Sequence, residues 1–206
     1  MAYPMHRGAL IGCGFIANQK HLPALAKLEN RIQLVAFCDL VEERAQKAAK
    51  EYGTPDAAVY TDYREMLRRS DLDVVYILTP NRTHCELTIA ALESGKDVLC
   101  EKPMALNSVE AERMCEAARA SGRQLTIGYQ NRYRLDSRYL KKVVENGELG
   151  EVYLAKAHAV RRRGIPTWGV FLNEAEQGGG ALIDIGTHAL DMTLWIMNNY
   201  KPKRVS

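Results

Sequence analysis

The sequence predicts an α/β fold, with a doubly wound parallel sheet over residues 1–131 and a smaller α+β portion over 132–206. Three observations carry that expectation. Short apolar runs alternate with helical segments; the first run ends in Gly12-Cys13-Gly14-Phe15-Ile16-Ala17; the second run ends on an acid, Asp39. Alternation at this pace brings successive strands parallel and puts helices on both faces of the sheet.

The apolar runs lie at 8–12, 33–38, 58–60, 73–78, 97–100 and 124–129. The run at 73–78 (DVVYIL) is continuous and β-branched, as a strand buried on both faces should be. Helices are expected at 41–52, at 62–69, from Asn81 or Thr83 to 94, and at 108–121. The last has Asn107 or Ser108 as its cap, Glu110 in its first turn and Gly122 just past its end. Beyond residue 131 the composition changes. Residues 135–146 read as a helix, 150–162 as a partly alternating strand, 164–180 as a loop, 181–198 as an amphipathic helix and 201–206 as the opening of another strand. One strand and one helix cannot close a sheet, so the chain reads as cut short.

Composition narrows the function classes. The apolar share of 47% is that of a globular protein with a real core. Lys plus Arg is 28 and Asp plus Glu is 25, a net charge of +3 that gives no general pull toward nucleic acid or an anionic membrane. No apolar stretch reaches bilayer-spanning length, and the N-terminal stretch lacks the apolar core of a secretory signal. The five cysteines are odd in number and show no CxxC spacing. They read as reduced core residues of a cytoplasmic protein, with no metal site expected.

The glycine turn sits where a strand should pass into a helix. Gly12 allows the tight turn, Gly14 lets the backbone approach a pyrophosphate, and Ala17 permits close helix packing. Backbone amides at Phe15 and Ile16, at the start of the helix, would face the anion. Asp39 stands where a carboxylate could take the ribose hydroxyls, and the alternative is that it caps the next helix. An acid there disfavours a 2′-phosphate and Leu40 offers no guanidinium, so NAD is preferred, while Arg44 keeps NADP open.

Four more stretches fall at or beside the strand ends, where open parallel sheets bind ligands. With the glycine turn and Asp39 already named, three of these are strand-end stretches, Thr79-Pro80-Asn81, Glu101-Lys102-Pro103 and Tyr129-Gln130-Asn131-Arg132, and the fourth feature is His84, in the first turn of the helix after Asn81. Lys102 reads either as an ammonium aimed at a substrate oxygen or as a surface Lys-Pro turn paired with Glu101. His84 reads either as a cofactor-ribose contact or as packing at a helix start. Asp184 and His188, one helical turn apart behind Gly178-Gly179-Gly180, form an acid/base pair or an ordinary ion pair. Their apolar neighbours Leu182, Ile183, Ile185 and Leu190 suggest a mostly buried setting, which polar residues enter only for a reason. Arg161-Arg162-Arg163 reads as a solvated strand end. Trp168 reads equally as a sugar-stacking residue or as a core or interface residue.

These residues together resemble the Gfo/Idh/MocA family of oxidoreductases, which includes glucose–fructose oxidoreductase and inositol 2-dehydrogenase. The resemblance rests on GCGFIA at 12–17, CDL at 38–40, TPNRTH at 79–84, EKP at 101–103, GYQNRY at 128–133 and GGGALIDIGTHALD at 178–191. It implies a Rossmann domain followed by an antiparallel-sheet domain for substrate binding and oligomerisation, incomplete here because chains of the family continue further. It implies catalysis by Lys102, Asp184 and His188. Cofactor contacts fall to Gly12, Gly14, Phe15, Ile16, Asp39, Thr79, Pro80, Asn81, His84, Glu101, Lys102 and Gln130. Substrate contacts fall to Tyr129, Arg132 and Trp168. The activity expected is hydride transfer between NAD, or NADP, and a ring hydroxyl or ketone of a sugar or cyclitol, by a homo-oligomer when full length. Two rivals are a glycosidase that uses held NAD transiently and a non-enzymatic dinucleotide-binding sensor of sugar regulons. Intact Lys102 and His188 count against the sensor.

Overall fold

The computed structural model describes residues 4–160, 162–167 and 169–205. Trp168, expected to stack on a sugar, and Arg161 of the basic run lie outside the described residues. The chain divides into two compact units, Met1–Gly128 and Tyr129–Ser206.

In the first unit six strands form one parallel sheet. They are β1 (His6–Ile11), β2 (Ile32–Cys38), β3 (Ala58–Tyr60), β4 (Val74–Ile77), β5 (Asp97–Cys100) and β6 (Leu125–Ile127), in spatial order β3-β2-β1-β4-β5-β6. The strand order reverses between β1 and β4, the topological switch point at which such sheets bind ligands. The helices of this unit are a π-helical segment, Ala17–His21, running straight into α1 (Leu22–Ala26), then α2 (Glu42–Tyr52), α3 (Tyr63–Leu67), α4 (His84–Glu93) and α5 (Ser108–Ser121).

Local chemistry explains the boundaries. Asn107 caps α5 by accepting the Glu110 amide at 3.0 Å, and Gly122 closes it in the left-handed region at φ 64°. Asp62 caps α3 through the Arg64 amide at 2.9 Å. Alternation along the strands divides the core into two layers. Leu10, Leu34 and Phe37 pack with Leu22, Leu25, Ala45 and Ala48 of α1 and α2. Ala9, Ile11, Val35, Ala36 and Cys38 pack with residues of α3, α4 and α5 such as Met66, Leu92 and Met114. Val35 and Ala36 fall in the same layer because β2 carries one extra residue there: Gly8 pairs with Leu34 but Ala9 pairs with Ala36. Burial pushes the thiols of Cys13, Cys38 and Cys100 up to about 12, as inert core cysteines require.

The second unit holds a 3-10 turn at Gln130–Tyr133, then α6 (Leu135–Glu145), α7 (Glu174–Gln177), a π-helical segment at Leu182–Gly186 and α8 (Thr187–Met197). Two sequence expectations fail here. Among the described residues, neither 150–162 nor 201–206 forms a strand, and the alternating stretch at 152–160 is nearly all exposed. Alternation gives a segment two faces, but a strand also needs a neighbour for its amides and carbonyls, and no strand is described in this unit. The helix expected over 181–198 is present, its first part wound as a π turn at Leu182–Gly186 and the rest as the α-helix Thr187–Met197. No helix among the described residues is long and apolar enough to cross a membrane.

Phe37 is fully buried and Leu40 is 93% exposed. Phe37→Ala should therefore lower the unfolding free energy by about 3–5 kcal/mol, and Leu40→Ala by less than about 0.5 kcal/mol. Urea unfolding of both variants checks this.

Candidate active site

The carboxyl ends of the strands in the first unit are held level by backbone hydrogen bonds that continue past the ladders. Gly12 donates to Cys38 O at 2.8 Å, Leu78 to Ile11 O at 2.8 Å, Glu101 to Ile77 O at 3.0 Å and Gly128 to Cys100 O at 2.8 Å. These bonds set the glycine turn, the Thr79-Pro80-Asn81 loop and the Glu101-Lys102-Pro103 loop side by side.

Gly12 has φ +94°, and a Cβ there would stand 2.7 Å from the Leu78 carbonyl oxygen. Only glycine satisfies both conditions. At Gly14 the opposite holds, because no heavy atom lies within 4 Å of where a Cβ would stand. That side of the turn is open. Asn18, unremarked in the sequence, donates its side-chain amide to Cys13 O at 2.8 Å and to Gly14 O at 2.7 Å. The turn's carbonyls are thereby committed to the protein. Asp39 accepts the Cys13 amide on Oδ2 at 2.8 Å and the Val41 amide on Oδ1 at 2.9 Å. The acid thus reaches the turn itself, and the Asp39 side chain does not cap α2, whose N-cap is Val41.

On the next loop, Thr83 Oγ1 donates to Thr79 Oγ1 at 2.7 Å and Asn81 is buried. His84 lies under the rim rather than on it. It is fully buried, with Nδ1 2.7 Å from Pro103 O and Nε2 3.0 Å from Thr79 O. The expectation that His84 touches the cofactor ribose gives way to a tie between two loops. Burial lowers its basicity, against the pull of the two carbonyls.

Glu101 is likewise turned to the protein. Its Oε1 accepts from His21 Nε2 at 2.7 Å and its Oε2 from the backbone amide of Lys102 at 3.0 Å. Both side chains of the His21–Glu101 pair are about five-sixths buried, with relative exposures of 16% and 15%. Burial pushes the Glu101 carboxyl up, but His21 and the Lys102 amide and ammonium outweigh it and hold the group below its ordinary value. Both carboxylate oxygens of Glu101 thus meet protein groups, His21 on one side and the Lys102 amide on the other. The sequence reading missed His21, which carries no local signal, because the partner that gives it a role, Glu101, lies 80 residues away.

In the second unit the Tyr129 hydroxyl and Thr187 Oγ1 are 2.9 Å apart, and the Tyr129 ring meets the His188 imidazole edge-on at 6.4 Å. Arg132, expected at the substrate, is paired with Asp191. Its Nε lies 3.1 and 2.9 Å from the two carboxylate oxygens and its Nη2 also donates to Oδ1. The Asp191 contact raises the Arg132 pKa. The guanidinium also lies 5.9 Å from the Trp195 ring, and Lys141 Nζ donates to Trp195 O at 2.8 Å. Asp184 lies in the π turn and His188 on α8, both half-buried. Their surroundings are more open than the sequence suggests, since Leu182 is 80% and Leu190 56% exposed. Gln130 is exposed.

A parallel sheet whose strand order reverses between β1 and β4, with a glycine turn after β1 and a carboxylate after the neighbouring β2, is the architecture of a dinucleotide-binding protein. The comparisons give the particular family. Residues 6–129 match the model described as an oxidoreductase family with an NAD-binding Rossmann fold, and residues 137–206 match the GFO/IDH/MocA C-terminal domain. The chain belongs to the Gfo/Idh/MocA oxidoreductase family, and its first unit is an NAD-binding Rossmann domain. It is 44% identical over 191 residues to the D-glucoside 3-dehydrogenase of Escherichia coli (strain K12), a match covering 93% of this chain and 54% of that one. It is similar to the crystal structure of myo-inositol 2-dehydrogenase from Lactobacillus plantarum, with TM-score 0.81 and 29% identity over 95% of this chain and 57% of that one. It is also similar to the WlbA dehydrogenase from Bordetella pertussis in complex with NADH and UDP-GlcNAcA, with TM-score 0.82 and 27% identity over 94% of this chain and 58% of that one. The chain spans about half the length of the curated relatives it matches.

Two outcomes follow. Gly12→Ala should strain the turn by about 1–3 kcal/mol and weaken NADH binding by about tenfold or more, read by thermal melting and by a nicotinamide fluorescence titration. Asp191→Asn, which removes the charge that Arg132 pairs with, should cost on the order of 2 kcal/mol and speed amide exchange along α8. Hydrogen exchange with mass spectrometry checks it.

Proposed function

We propose that this protein is an NAD-dependent oxidoreductase that exchanges a hydride between the nicotinamide and a ring hydroxyl or ketone of a sugar or cyclitol. The observation that carries this reading is the glycine turn with Asp39 at its shoulder, level along the sheet edge with the loop bearing Lys102. The 44% identity to a D-glucoside 3-dehydrogenase supports the substrate class.

In this reading Gly12 and Gly14 admit the pyrophosphate, and the amides of Phe15 and Ile16 face it. Asp39 accepts the ribose hydroxyls. Thr79, Pro80 and Asn81 line the nicotinamide end, and Gln130 adds a polar contact. Bound NAD supplies the carbon that accepts or returns the hydride. Lys102 holds the reacting oxygen by charge-assisted hydrogen bonding. His188 takes the hydroxyl proton in oxidation and returns it in reduction, and Asp184 orients substrate and imidazole. Tyr129 holds the second unit's rim through Thr187. The residues beyond 131 form the substrate and oligomerisation portion. A cytoplasmic setting goes with this reading and agrees with five cysteines that form no disulfide.

The test is a panel of methyl glucosides and inositols with NAD and with NADP, followed by nicotinamide absorbance. Net NADH formation that falls about 10²–10⁴-fold in Lys102→Ala and in His188→Ala is the expected result. Aglycone release without net NADH would point instead to the glycosidase rival. Full activity in Lys102→Ala would overturn the reading.

A further inference from the structure

Lys102 sits between two neighbours that the fold grips from different elements. On one side Glu101 offers Oε2 to the Lys102 amide and Oε1 to His21. On the other side the carbonyl of Pro103 meets His84 Nδ1 at 2.7 Å. His84 belongs to α4, whereas His21 closes the π-helical segment that leaves the glycine turn. One turn earlier in that segment, Asn18 grips the carbonyls of Cys13 and Gly14. A continuous line of hydrogen bonds and backbone therefore runs from the glycine turn through Asn18, His21 and the Glu101 carboxylate to the backbone of Lys102.

The His21–Glu101 pair spans 80 residues of sequence and takes two ionisable groups largely out of water. An apolar pair of similar size would fill the same space without the desolvation cost. A directional contact, unlike an apolar one, fixes where the Lys102 amide points.

We propose that His21 is a positioning residue for Lys102, acting through Glu101, so that the dinucleotide turn and the lysine are set as one body. The inference rests on the reading that Lys102 faces the bound cofactor, and the two can fail separately.

The test is competitive trace acetylation of the lysines of the whole protein, read by mass spectrometry, with and without NADH. In the unsubstituted protein NADH should shield Lys102 while leaving Lys47 and Lys142 unchanged. No shielding would sink the cofactor-facing role of Lys102 whatever the His21 variants do. In His21→Ala the labelling of Lys102 relative to the other lysines should change by about threefold or more, and in Glu101→Gln it should change in the same direction. His21→Gln, which keeps a nitrogen donor at similar reach, should return it toward the starting value. A purely structural His21 would lower the melting temperature and leave the Lys102 ratio unmoved. An unmoved ratio in both His21→Ala and Glu101→Gln, or a change shared by all lysines, overturns the positioning role.

Discussion

The carboxyl ends of neighbouring strands stay level because the first amide beyond each ladder is donated to the last carbonyl of the strand beside it, as Gly12 does to Cys38 and Glu101 to Ile77. Everything at the rim inherits its height from those bonds. A loop of three residues, such as Glu101-Lys102-Pro103, cannot reach far, so its usefulness depends on where the strand lets it go. Parallel register therefore acts here as a positioning device. The reversal of strand order between β1 and β4 opens the crevice, and the aligned ends decide what lines it.

The polar groups taken inside the protein share one pattern. His84, Glu101 and Asp191 are each buried or nearly so, and each bridges segments that the sheet alone would not hold together. Burying such groups is costly unless every partner is in place. Apolar side chains could fill those spaces, but they would leave short loops free to slide. Each buried polar contact fixes a direction as well as a distance. Each unit also contains a π turn, at Ala17–His21 in the first and at Leu182–Gly186 in the second.

Much of this was legible in the sequence because the signals were local. The run DVVYIL reads as a strand buried on both faces, and β4 lies within it. The helix at Ser108–Ser121 carries its own cap and stop in Asn107 and Gly122, and it begins and ends as read. The glycine turn was legible for the same reason. Roles that depend on remote partners were not. His84 and Arg132 look available as one-letter codes, yet carbonyls of Thr79 and Pro103 occupy the first and Asp191 the second, 59 residues away. The strand expected at 150–162 fails from the other direction, since alternation supplies the look of a strand and no described neighbour completes it.

Asp39 holds one further consequence. Each of its oxygens already accepts a backbone amide, from Cys13 and from Val41. An ionised carboxylate has about four lone-pair directions, so two remain. In the proposed reading, a vicinal diol would meet this acid without displacing either amide. The orientation it meets was set when the chain folded, and the entropy of aiming the acceptor is not charged to the binding step.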